Sequence, residues 1–159
     1  MRRFPVICAL LALALPGAAS ARPGSPGDGT LLVRNANARI VVQAKGGLIG
    51  RCDACTLTIK DPNPDDGSGP IVSGAELRHD INDTTTRWIG GNMRFRIIGG
   101  RFTVGVSGGG VDLSVIGKGQ VTLQGNKGSD DDGTFSLNGA AAQPITDVAQ
   151  FFLLAATTG

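Results

Sequence analysis

Between residues 90 and 125 the chain repeats one short unit, GGNMRFRII, GGRFTVGVS, GGGVDLSVI and then GKGQVTLQG, with glycines at 90, 99, 108 and 117. Apolar and polar residues alternate inside each unit, which is the two-residue period of a strand with one buried face. The glycine pair that opens a unit supplies the positive φ of a two-residue turn. The pattern therefore predicts a β-meander, and turn arithmetic fixes its pairing. A turn at Gly99-Gly100 sets Ile97 opposite Phe102, Phe95 opposite Val104 and Met93 opposite Val106. A turn at Gly108-Gly109 sets Val106 opposite Val111, Val104 opposite Leu113 and Phe102 opposite Val115. A three-residue loop, Gly117-Lys118-Gly119, carries the same face on by setting Val115 opposite Val121 and Leu113 opposite Leu123. Every pair is apolar.

The earlier part of the chain reads the same way. A turn at Ala36-Asn37 places Val33 opposite Ile40 and Leu31 opposite Val42. One at Asp53-Ala54 places Gly50 opposite Leu57 and Leu48 opposite Ile59, and one at Gly90-Gly91 pairs Trp88 with Met93. Segments 134–138 and 148–155 add further strands. The opposite face carries Arg94, Arg96, Thr103, Ser107, Asp112 and Ser114, so one side of the sheet is wet. A sheet with a single apolar face must cover it with another sheet or close on itself. The expected architecture is all-β, an antiparallel meander forming a β-sandwich or barrel. The glycine period leaves one alternative, a metal-free β-solenoid of parallel rungs. A calcium-binding roll wants G-G-x-G-x-D in every rung, and this chain approaches it once, at residues 107–112.

Arg2 and Arg3 precede an apolar run from Phe4 to Leu15, followed by Pro16, Gly17 and Ala19-Ser20-Ala21. That order is the order of a cleavable export signal, with processing expected after Ala21. The apolar run falls well short of the about 20 residues that a spanning helix needs, so no membrane span is expected in the processed chain. The division is then a signal peptide at 1–21, a flexible segment at 22–28 and one all-β domain at 29–159. The leader holds two of the 15 basic residues and none of the 13 acidic ones, leaving 13 of each sign. A balanced charge without a basic run gives no electrostatic reason to bind nucleic acid or anionic lipid. The 25 glycines, and acids that are all Asp except Glu76, suit tight turns far better than helices.

Cys52 and Cys55 form a C-x-x-C pair, and Cys8 lies in the expected leader. An even count outside the cytoplasm reads as a disulfide. A redox centre needs such a pair at a helix N-terminus, and haem attachment needs His where Thr56 stands. Asp61, Asn63 and Asp65 alternate like calcium ligands. Gly67 falls one place late for an EF-hand, however, and Val72 stands where the bidentate Glu belongs. A second acidic loop is Asp130-Asp131-Asp132. Residues 105–109 spell G-x-S-x-G around Ser107 without the strand-to-helix elbow of a hydrolase, and His79 is the single histidine. Arg94 and Arg96, with Asp112 and Gly105 beside them, form a candidate polar binding patch. No cofactor is expected.

The block TTTRWIGGNMRFRIIGGRFTVGVSGGGVDLSVIGKGQVTLQGN, followed by DDGTFSLNG, is similar to a group of uncharacterised small exported proteins of actinobacteria. The likeness covers roughly residues 84–139 and weakens upstream through Ile59. It implies an exported all-β domain and brings no activity, ligand or site residue with it. The expected function is a non-enzymatic exported domain with a structural role in the cell envelope, or one that binds an envelope component or protein partner there. The alternative is a small hydrolase or calcium-dependent enzyme using the Asp-rich loops, His79 and Ser107.

Overall fold

A computed structural model describes residues 27–127 and 131–156. The expected signal peptide at 1–21 and most of the 22–28 segment lie outside the described residues. Eight strands form one antiparallel sheet: β1 (Gly29–Lys60), β2 (Ile71–Ser73), β3 (Leu77–Asn82), β4 (Thr85–Ile97), β5 (Arg101–Gly125), β6 (Thr134–Leu137), β7 (Gln143–Pro144) and β8 (Gln150–Leu154). A 3-10 turn (Pro64–Asp66) follows β1.

β1 is 32 residues long and β5 is 25. Laid straight, β1 would reach about 100 Å, whereas a domain of this size has a radius of gyration of about 14 Å. The two strands therefore wind around one another. Ile40 stands beside Val106 on one side and beside Leu123, seventeen residues further along β5, on the other. Val115 likewise stands between Leu31 and Leu48, seventeen residues apart in β1. After each seventeen residues a strand returns as its partner's second neighbour, so the sheet folds over its own apolar face.

Two layers result. In the first, residues 118–125, 38–45, 101–108 and 55–60 lie side by side, with β8 at one edge and the start of β4 and then β3 at the other. In the second, β7 and β6 are followed by residues 29–33, 111–117 and 46–52, the end of β4, and β2. Between the layers lies one buried cluster that includes Leu31, Val33, Ile40, Val42, Leu57, Met93, Phe95, Val104, Leu113 and Leu123. The sheet is not closed into a barrel, and its ladders are all antiparallel, which excludes the solenoid.

The all-β antiparallel class and the apolar face agree with the sequence reading, but the partners across that face differ. Residues 101–125 are one strand, and 108–110 and 117–119 are bends in it rather than hairpin turns. β4 and β5 do not pair with each other; both flank β1. Leu57 lies between Trp88 and Val106, and Leu48 between Ile97 and Val115. Trp88 also meets Arg78 across β3, while Met93 faces Cys52. A glycine pair can reverse a strand or bend it, and apolar alternation survives either outcome.

Gly46 and Gly117 show why glycine is needed where the strands cross. They face one another with φ of +157° and +156°. A Cβ on Gly117 would stand 2.3 Å from the Lys45 carbonyl oxygen, and one on Gly46 would stand 2.1 Å from that of Ile116. The backbones approach closely enough that only hydrogen fits between them. Gly117→Ala should therefore lower the unfolding free energy by at least about 2 kcal/mol through strain and forced strand separation. Gly69→Ala should be close to neutral, since an added Cβ there meets nothing within 4 Å. Equal denaturation midpoints for the two variants would refute this account of the crossing.

Candidate functional site

On the outer face of the second layer the register lines side chains into two rows. One row runs Leu32, Ser114, Ile49, Arg96, Ile71 across five adjacent strand segments. Next to it run Asp112, Arg51, Arg94 and Ser73, with Arg34 beyond Asp112 on β1. The alternation that sends Val33, Leu113 and Phe95 inward sends these residues out. Together they line a cleft of about 510 Å³. Gly50 lines it too, and a Cβ there would lie 2.6 Å from the Phe95 ring, so the strand is seated low at that point.

Asp112 is the fixed point of the site. Its Oδ1 accepts the backbone N–H of Asn35 at 2.9 Å, and its Oδ2 accepts Nε of Arg51 at 2.7 Å, with Nη2 of Arg51 at 2.6 Å. The Asn35 amide first, and Arg51 after it, hold the carboxyl below its ordinary range. The same bond pushes the Arg51 guanidinium up. Arg51 stands directly opposite Arg94, a like-charged cross-strand pair that Asp112 offsets. Among the described residues, Arg34, Arg94 and Arg96 have no carboxylate within ion-pair distance. Three guanidinium groups without an ion pair among the described residues therefore share one cleft with the exposed aliphatic side chains of Leu32, Ile49 and Ile71.

The structure thus brings together Arg94, Arg96 and Asp112 of the expected patch. Gly105 is not part of it; it pairs with Val41 and Thr58 in the first layer. Arg34 and Arg51, absent from that expectation, complete the site. They are seventeen residues apart, the winding period of the sheet, and lie on either side of β5. The signal was present as a short internal repeat, Leu31-Leu32-Val33-Arg34 and Leu48-Ile49-Gly50-Arg51.

The other candidates are dispersed. Cys52 and Cys55 are buried and joined by a disulfide within β1, with Cα atoms 6.1 Å apart. In the chain-entropy account so short a loop contributes only about 2 kcal/mol. Asp61 accepts the backbone N–H of Asn63 in a tight turn, and Asp65 sits in the 3-10 turn. Among the described residues no three His, Cys, Asp or Glu side chains gather as a metal site. Asp130 lies outside the described residues, and Asp132 is buried. His79 is on edge strand β3 beside Arg87, while Ser107 lies within β5 beside Arg39 and Thr56. Three strand spacings separate them, at least about 14 Å, which is too far for a nucleophile and its base. Comparison with protein-family models, curated proteins and solved structures returned no match.

Because folding lowers the Asp112 pKa, its contribution to stability is complete above the ordinary carboxyl value of 3.8 and fades as pH falls through the lower folded value. Asp112→Asn should be less stable than wild type at pH 7, and the gap should close below about pH 4. Asp66, held low by Ser68, and Asp80, held low by Thr86, contribute equally to both proteins and cancel. Chemical denaturation across pH measures the gap, and a pH-independent difference would show that Asp112 does not act through its charge.

Proposed function

We propose that this chain is exported and serves as a non-enzymatic binding domain, whose arginine-bearing face takes up an anionic component of the cell envelope. The observation that carries the reading is the convergence of Arg34, Arg94 and Arg96, none of them ion-paired among the described residues, with Leu32, Ile49 and Ile71 in one cleft. Guanidinium groups suit this task because their planar fork stays charged and matches carboxylate or phosphate oxygens two at a time. Each of these residues stands on a strand rather than a loop, which fixes its backbone before a partner arrives. The acid in the cleft, Asp112, is committed to Arg51 and to the Asn35 amide, so it serves the scaffold rather than proton transfer. Residues 1–21, with the order of an export signal, and a buried disulfide suited to an oxidising compartment support the location.

The test is co-sedimentation of the purified protein with cell envelopes of its source organism at low and high salt. Saturable pelleting that weakens at high salt is expected, because exposed charges are screened. The Arg94→Ala/Arg96→Ala double variant should bind at least about tenfold more weakly, about 1.4 kcal/mol. Protein that stays in the supernatant at both salt concentrations, or a double variant that pellets like wild type, would overturn the reading.

A further inference from the structure

Resting on the same cleft, we infer that its ligand is a small single-chain amphiphile with one anionic head group, carboxylate or phosphate, and an aliphatic tail. The size of the cleft fits a small molecule. A cleft of about 510 Å³ falls within the small-molecule range of about 300–1,000 Å³, whereas a stable protein partner covers about 800 Å² of each surface. Charge sets the head group. Arg34 and Arg94 flank the Asp112–Arg51 pair, and Arg96 stands one register step from Arg94. Ser73, opposite Arg94, and Ser114, between Leu32 and Ile49, add hydroxyl donors on the same surface.

The tail follows from the neighbouring row. Leu32, Ile49 and Ile71 are 36%, 61% and 48% exposed, three aliphatic side chains in one row with Ser114 and Arg96 between them, which a purely ionic site has no use for. From Leu32 to Ile71 there are four strand spacings, about 19 Å, and Arg96 stands between Ile49 and Ile71. An extended chain lying across the strands covers neighbouring aliphatic side chains of this row while its head reaches the arginine row. The ring in the floor, Phe95, is only 2% exposed, so the cleft offers no open aromatic face on which a nucleobase or sugar would stack. Straight aliphatic chains need no such face.

Titration calorimetry of the full processed protein tests this with four probes, each below its micelle concentration. Dodecanoate and dodecyl phosphate carry the two head groups; dodecyl maltoside has the tail without charge, and inorganic phosphate the charge without a tail. At least one anionic amphiphile is expected to bind saturably at one per chain, and the one preferred identifies the head group. The maltoside and inorganic phosphate are expected to bind at least tenfold more weakly. Arg94→Ala/Arg96→Ala should weaken amphiphile binding at least tenfold, and Ile49→Ser, on an exposed position, should weaken it several-fold while leaving the fold intact. Equal binding of the maltoside, equal binding of inorganic phosphate, or no binding of either anionic amphiphile would overturn the inference. Arginine-dependent pelleting with envelopes in a protein that ignores all four probes would remove this ligand class alone and leave the envelope role standing.

Discussion

The backbone crossing at Gly46 and Gly117 is the constraint on which the rest of the fold depends. A strand of 32 residues cannot run straight through a domain this small, and it bends where its partner has no side chain to obstruct it. With hydrogen in place of Cβ on both strands, β1 and β5 pass in close contact and each returns to the other seventeen residues later. Without that approach neither strand would find its second register. The alternating apolar residues would then face water instead of each other.

One period consequently builds both the core and the cleft. The seventeen-residue return stacks Leu31 and Leu48 on either side of Val115 inside the sheet. One residue along, it places Leu32 and Ile49 on either side of Ser114 outside the sheet, and it puts Arg34 and Arg51 around Asp112. Inner packing and outer chemistry are two parities of one ladder. Most of the core joins residues distant in sequence, so the ordering entropy must be met before many contacts form, and slow folding is the general expectation for such a topology.

This also explains what was legible in the sequence. Alternation around Phe95, Val104 and Leu113 identified the buried face, because the side-chain period of a strand does not depend on which strand lies beside it. Pairing depends on the path of the chain, and the glycines at 99, 108 and 117 fit a turn or a bend equally well until long-range contacts decide. Arg94 and Arg96 were visible as adjacent outward charges on a single strand. Arg34 and Arg51 became part of the same site only through the winding, and the LLVR and LIGR segments that encode it are too short to stand out against an apolar background. Ser107 matched a hydrolase motif by residue type alone, and the continuous strand around it carries none of the motif's geometry.

Net charge hid the site for a related reason. A chain with 15 basic and 13 acidic residues has little global attraction for anions, yet the sheet brings four arginines and one aspartate to the same cleft. Such a cluster resists its own assembly, since each pair of like charges a few ångströms apart costs up to about 1 kcal/mol in a water-exposed setting. Asp112 offsets part of that cost by pairing with Arg51 and fixing its position. Arg34, Arg94 and Arg96 have no ion pair among the described residues, so this face keeps a local excess of positive charge that the sum over the chain conceals.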